Sequence, residues 1–545
     1  MTDLTALADE YYAYAMSLSP LDLMWDGRLE HLAEWNDVSV EGRAAAHERL
    51  VGFARAAEAI DVGDDLQALA LRDSVASHAR SAALHLAWEP ELLHLNPTMG
   101  AWENVLSFID AFPLRTAAHG EDYLTKLRRL PRFLDDLMDV AEDAAAEGRV
   151  ALERHLLDTA RSAEGYLRDA HAGDDRLLAQ APPSEMDDAG RAGWVAARDR
   201  VVAEAVHPGV ARFADRLRSL ADRGLPDSTP GLVHLAGGAA VYRDRMWAHL
   251  QLDITPEEVH QLGLDTVARL EDEYRSIAGP LLGTEDIAEI YARLRDDEAL
   301  RYTRAEDVIR DAEAALANAE EAAPAWFARL PRSRCVGHAT DFGAMAYYSA
   351  PVPETGKEGD FFFKTSDPHA WATYELEAIA YHEAVPGHHL QCALHAEDES
   401  LHRVQREFGS TAYGEGWGLY TERHADEMGL YTSELSRVGM LSADSLRACR
   451  LVVDTGIHAL GWSRDQAIDY CLAHSPLDRH HVEQEVDRYI GLPGQALAYM
   501  VGRLEILAIR AEAERRPGFD IREFHSAVLG YGAVPLATLR RLVLG

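Results

Sequence analysis

The segment Tyr381-His382-Glu383-Ala384-Val385-Pro386-Gly387-His388-His389-Leu390-Gln391 gathers the residue types of a metal-assisted hydrolase into one short stretch. A common plan for a zinc hydrolase sets two histidines one helical turn apart, with a glutamate beside the first. Both imidazoles then reach one ion, and the glutamate reaches the water as general base. Here position 386 is Pro, and the next histidines after His382 are His388 and His389. On an unbroken helix His388 would sit about 240° round from His382, and His389 would share its face about 10 Å further along. Pro386 has no N–H to return to the His382 carbonyl, and Gly387 permits an unusual backbone turn. A break there absorbs the extra residues and swings His388 toward His382. The reading therefore takes His382 and His388 as ligands, with His389 as the alternative to His388.

A histidine–glutamate pair means little alone, since His47-Glu48 also occurs with no second histidine near it. A zinc site needs a third protein ligand and one position left for water. The run Tyr413-Gly414-Glu415-Gly416-Trp417-Gly418-Leu419-Tyr420-Thr421-Glu422 offers it. Gly414, Gly416 and Gly418 would each cost about 1 kcal/mol in an ordinary helix. They are explained if this helix packs close enough for the Glu415 carboxylate to reach the ion. Glu422 lies on the same face and is placed to orient a ligand histidine from behind.

The chemistry that follows is hydrolysis. Zinc held by these side chains acidifies a water, Glu383 takes its proton, and Glu383 returns that proton to the leaving amine. The developing oxyanion needs a further donor. Tyr499 is the first candidate, because Pro493-Gly494 can turn a helix start into a cleft; His458 and Arg450 are the others. Short peptides or peptide-like compounds are the expected substrates. A zinc hydrolase of non-peptide amides or esters is the alternative, and a non-catalytic metal-binding protein is the third reading.

The elements that must position these residues read mostly as amphipathic helix, as in Arg149–Ala170, Trp194–Val206 and Ala305–Ala323. Thr255-Pro256-Glu257-Glu258 and Ser463-Arg464-Asp465-Gln466 mark helix starts. Strand signals are few: Asp360–Thr365 is the best, and Met345–Ser349 can pair with it. Phe361–Lys364 directly precedes the motif helix, so it is a candidate edge strand for binding an extended peptide. The turn-rich Gly224–Pro230 suggests an N-terminal helical region, 1–225, and a catalytic region, 226–545, unless the chain is one continuous domain.

Composition bounds the rest. The 545 residues are 47% hydrophobic and 26% charged, ordinary for a globular chain with a large core. A net charge of −38 repels phosphate backbones, so nucleic acid is not an expected partner. Basic residues are almost all Arg, with Lys only at Lys126, Lys357 and Lys364. Cys335, Cys392, Cys449 and Cys471 are scattered without a CxxC pair, so neither a disulfide framework nor a thiolate zinc site is suggested. No basic-then-apolar leader opens the chain and no apolar run approaches about 20 residues, so no membrane association and a cytoplasmic location are expected. Nothing in the sequence specifies an oligomeric state.

The two motifs together resemble the bacterial domain of unknown function 885 family. The resemblance extends over most of the chain. It includes Tyr347-Tyr348, Phe361-Phe362-Phe363, Arg450-Leu451-Val452-Val453-Asp454-Thr455-Gly456-Ile457-His458 and Pro493-Gly494-Gln495-Ala496-Leu497-Ala498-Tyr499. It implies a mainly α fold: a large helical, gluzincin-like metallopeptidase with a small β-sheet beside the active-site helix. Glu-Gly-Trp-Gly-Leu-Tyr is also similar to the third-ligand helix of aminopeptidase-type gluzincins, which selects Glu415 over Glu422 as ligand. Met500 departs from the basic residue expected after the tyrosine, which removes a cationic role there.

Overall fold

The computed structural model describes residues 3–25, 28–92, 95–97, 100–341 and 344–545. Side chains set where helices begin. Thr255 accepts a hydrogen bond from the Glu258 N–H while the Glu258 carboxylate accepts from the Thr255 N–H, a reciprocal box in front of Pro256–Leu282 (α1). Ser463 and Gln466 form the same box before Arg464–His474. The helices expected over 149–170 and 305–323 are present as Glu153–His171 and Ala305–Trp326 (α2). The one expected over 194–206 is Asp188–Val201, continued through a π turn at Val202–Val206.

The fold is mainly helical, with one three-stranded sheet among the described residues. Its strands are Cys335–Thr340 (β1), Ala346–Ser349 (β2) and Gly359–Lys364 (β3), in the order β1-β3-β2. The expected pairing is there: β2 runs antiparallel to β3, with Tyr348 opposite Phe361 and Tyr347 opposite Phe362. On the other side β1 runs parallel to β3. This corrects the expectation of an edge strand for substrate, because β3 is central and its main chain is bonded on both sides. Phe361 and Phe363 face the core, while Phe362 stacks on Tyr347 at 4.7 Å and on His338 at 5.2 Å.

After the sheet come Leu376–Glu383 (α3), His388–Glu397 (α4), Thr411–Glu427 (α5), Glu434–His458 (α6), Arg479–Gly491 (α7), Ala498–Ala513 (α8) and Ile521–Leu529 (α9). Helix α6 is buried along almost its whole length and is packed closely by α1, where a Cβ on Gly263 would lie 2.7 Å from Val452 Cγ2. Helices α5 and α8 cross backbone to backbone: a Cβ on Gly416 would meet the Gly502 carbonyl carbon at 2.5 Å.

The chain falls into two compact units. One comprises Met1–Ala8, Phe53–Ser81 and Tyr242–Gly545 and contains all the elements labelled above. The other comprises Asp9–Gly52 and Ala82–Val241, and the Gly224–Pro230 turn lies inside it. All four cysteines are free thiols, and no helix among the described residues is long and apolar enough to cross a membrane.

Candidate metal centre

The helix of the histidine–glutamate pair stops at Glu383, and a second helix begins at His388. Between them Ala384 (φ −99°, ψ −122°) and Gly387 (φ −78°, ψ −129°) leave the helical region, and the Val385–Pro386 peptide is cis. A Cβ on Gly387 would fall 1.8 Å from the His382 carbonyl oxygen, so only glycine fits there. Trp417 on α5 donates its indole N–H to the carbonyls of Pro386 (3.1 Å) and Gly387 (3.2 Å), so the break is held by the glycine-rich helix.

The break brings His388, not His389, to His382. Their rings stand 4.7 Å apart at 85°. Glu415 Oε2 lies 3.6 Å from His382 Nε2 and 3.6 Å from His388 Nε2. The ligating atoms of the three side chains all lie within 4.8 Å of one another. A tetrahedral zinc with bonds of about 2.0–2.2 Å holds neighbouring ligand atoms roughly 3.4 Å apart, so the trio fits such an ion. The close approach rests on Gly418, where a Cβ would meet His382 Cε1 at 2.7 Å. Gly414 is under no comparable constraint, its nearest neighbour being Gln391 Oε1 at 3.9 Å.

His389 is turned away and fully engaged. Its Nδ1 pairs with the Tyr348 hydroxyl at 2.9 Å and its Nε2 with the Ser333 carbonyl at 3.1 Å. Burial pushes its imidazole pKa down, so it is a neutral linker between the sheet and α4.

Glu422 stands behind His382. Its Oε1 accepts a hydrogen bond from His382 Nδ1–H at 2.8 Å, which leaves Nε2 to face Glu415 and His388. The Tyr431 hydroxyl fixes the Glu422 backbone at 2.9 Å. Burial alone disfavours a charged imidazole at His382, yet Glu415 and Glu422 outweigh it and lift the pKa to about 9. Burial likewise raises the Glu415 carboxyl, but the two imidazoles override it and hold it well below the usual carboxylate range. The pocket is thus built to stabilise positive charge between carboxylates. Glu383 is half-buried beside His382, and its carboxylate makes no hydrogen bond among the described residues. Cys392 is close to both glutamates, but burial and their charge push its thiol up to about 12.

Of the three candidate oxyanion donors, Tyr499 stands at the cluster. Its ring is stacked on His382 with centroids 6.3 Å apart, and its hydroxyl has no hydrogen-bond partner among the described residues. Arg450 lies one layer further out: its guanidinium sits 4.4 Å from the Tyr499 ring centroid and pairs with Glu485 at 2.7 Å. The expectation for His458 is corrected. Its Nε2 is bonded to the Tyr489 carbonyl at 3.0 Å, its ring packs on Tyr242, and burial lowers its pKa to about 4. It is a neutral core histidine.

Two contributors escaped the sequence reading. Trp417 pins the helix break, and its signal was a large aromatic set between two glycines. Arg447 reaches toward Glu422 Oε1 at 4.0 Å and lies 5.7 Å from the Tyr499 ring; its signal was the three-residue spacing to Arg450 on one helix face.

The family described as "Bacterial protein of unknown function (DUF885)" matches residues 23–543. The chain belongs to this family. Two solved structures share the DUF885 chain's fold. A "putative lipoprotein" from Colwellia psychrerythraea is 24% identical, with a TM-score of 0.89 over 99% of this chain and 98% of that one. A "putative lipoprotein of unknown function" from Shewanella oneidensis is 18% identical, with a TM-score of 0.78 over 100% of both chains. No curated protein matches the sequence.

Proposed function

We propose that this DUF885 protein is a zinc-dependent hydrolase of the gluzincin kind, acting as a peptidase on short peptides. The observation that carries the reading is the convergence of His382 Nε2, His388 Nε2 and Glu415 Oε2, with Glu422 fixing the tautomer of His382. These three side chains would hold the ion. Zinc, when bound there, supplies a Lewis acid that polarises a carbonyl and acidifies a water.

The chain's own residues do the rest. Glu383, next to His382 and with a carboxylate free of hydrogen bonds among the described residues, would take the proton of the attacking water. It then passes that proton to the departing amine nitrogen, so the carboxylate ends the cycle as it began. The Tyr499 hydroxyl has burial and the Glu415 charge raising its pKa, so it stays protonated and can donate to the developing oxyanion. Trp417 and Gly418 keep His382 and the helix break in register, which is positioning rather than chemistry.

The test is zinc content and peptide turnover measured on the same preparation. About one zinc per chain, with cleavage of short peptides that chelation abolishes and zinc restores, is the expected outcome. Zinc-loaded protein that cleaves no member of a short-peptide library sinks the peptidase reading. Turnover of amide- or ester-bearing metabolites instead would move the same site to non-peptide substrates.

A further inference from the structure

Beside the metal cluster stands a group of arginines that hydrolysis does not use. Helix α6 carries Arg447 and Arg450, and helix α7 carries Arg488 together with Glu485. Glu485 Oε2 receives Arg450 NH2 at 2.7 Å, Arg488 NH2 at 3.0 Å and the Tyr489 hydroxyl at 2.6 Å. Its Oε1 receives Arg488 Nε at 3.2 Å. That carboxylate is fully subscribed. The carboxylate Arg447 approaches is Glu422, at 4.0 Å, and Glu422 Oε1 is already committed to His382.

Three guanidinium charges therefore share two carboxylates, one of which, Glu422, also serves His382. Arg450 is 5% exposed, and its NH1 is buried with no acceptor among the described residues; the Arg447 Nε is in the same condition. Buried donors left without partners are costly, and guanidinium donors more so. A surplus of positive charge is notable in a chain of net charge −38. The group is also reachable, with the side chains of Arg447 and Arg488 14% and 19% exposed.

Its place relative to the cluster is set by Tyr499. That ring lies 6.3 Å from the His382 ring on one hand and 4.4 Å from the Arg450 guanidinium on the other. Together these bound the span at about 11 Å, the reach of about three residues of extended peptide at roughly 3.3 Å each. The planar forks of arginine match a carboxylate with paired hydrogen bonds.

We infer that Arg447, Arg450 and Arg488 form a subsite for the C-terminal carboxylate of the substrate, so that the site acts within about three residues of the carboxyl end of short peptides. The inference rests on the proposed peptidase reading for its turnover, but its binding claim stands on the arginines alone. A substrate carboxylate would give the unpartnered guanidinium donors the acceptor they lack. A peptide amide, lacking that charge, leaves them unsatisfied.

The test is calorimetric binding of N-acetyl-Ala-Ala and of its C-terminal amide to the Glu383→Gln protein supplied with zinc. The free acid should bind about tenfold or more tightly than the amide, the worth of one charge-assisted pair. In Glu383→Gln/Arg447→Gln that ratio should fall to about one, and Arg447→Lys should restore part of it. Equal binding of acid and amide to the parent overturns the subsite, and needs no arginine variant to fold. A ratio that survives Arg447→Gln overturns it as well. Acetyl-Ala-Glu-amide binding as tightly as the free acid overturns the terminal assignment, because a side-chain carboxylate would then suffice. Acid preference together with no cleavage of either peptide by wild-type protein keeps the subsite and removes the peptidase reading instead.

Discussion

Helix α5 borders two histidine pairs with the same spacing and opposite character. His382 and His388 have ring centroids 4.7 Å apart beside its N-terminal half; His424 and His525 have centroids 4.7 Å apart beside its C-terminal end. The second pair is wrapped in aromatic rings, with Trp326 4.9 Å from His424 and Phe327 4.7 Å from His525. His525 is satisfied by the Tyr420 hydroxyl at 2.8 Å and the Trp326 carbonyl at 3.1 Å, and burial drives its pKa down to about 3. At the first pair two glutamates outweigh burial and drive His382 the other way. Proximity of imidazoles is therefore no sign of a metal centre. What sets the first pair apart is a carboxylate between the rings and another behind, which would turn a packing contact into a place for a cation.

Removing candidate ligands should separate the two histidine pairs most clearly. His388→Ala or Glu415→Gln should reduce bound zinc from about one per chain to background in metal analysis, whereas His424→Asn should leave it unchanged. Equal zinc loss in all three would erase the distinction between the pairs. Next in size is Glu383→Gln, expected to lower turnover by about 10²–10⁴-fold while zinc content stays, as for loss of a general base; unchanged turnover would leave Glu383 without a role. Glu422→Gln should weaken zinc affinity by about 10–100-fold, read by competition with a chelator. Unaltered affinity would mean that Glu422 only fills space.

The smallest effect tests the aromatic pair. His525 binds its proton far less readily in the folded chain than at its ordinary pKa of 6.5. Its neutral ring therefore contributes stability that is complete above about pH 6.5 and is lost as pH falls from there toward 3. The limiting slope is about 1.4 kcal/mol per pH unit. His525→Asn should lower the Tm at pH 7 but shrink the further drop between pH 6.5 and 4.5. An undiminished drop would assign acid sensitivity elsewhere, for instance to His395 or His458, both held at about 4.

Much of the site was legible because its signals are local. Pro386-Gly387 announces a break in the histidine helix, and the break is what brings His388 rather than His389 next to His382. Gly416 and Gly418 announced close packing, and both are in contact with other atoms at distances no side chain allows. Glu422, seven residues beyond Glu415 on the same helix, meets His382 Nδ1. Features fixed by distant chain carry no local signal. Strand β3 looked like an edge because β1, Cys-Val-Gly-His-Ala-Thr, carries glycine and lacks a clear alternating pattern. His458 looked available because its partner, the Tyr489 carbonyl, lies on another helix. The inclusion of Phe53–Ser81 in the unit holding the site follows from tertiary contact alone, which no local periodicity reports.

The break at Ala384–Gly387 has a last consequence for how the centre comes into being. Where two ligand histidines share one continuous helix, a short synthetic peptide can present half of the site by itself. Here the two imidazoles belong to separate helices, and the turn between them is secured by an indole some thirty residues downstream. Ion affinity is then a property of the assembled chain, and zinc would act as a fastener across α3, α4 and α5. By mass action, whatever binds only that assembled state shifts the folding equilibrium in its favour as its concentration rises above its dissociation constant.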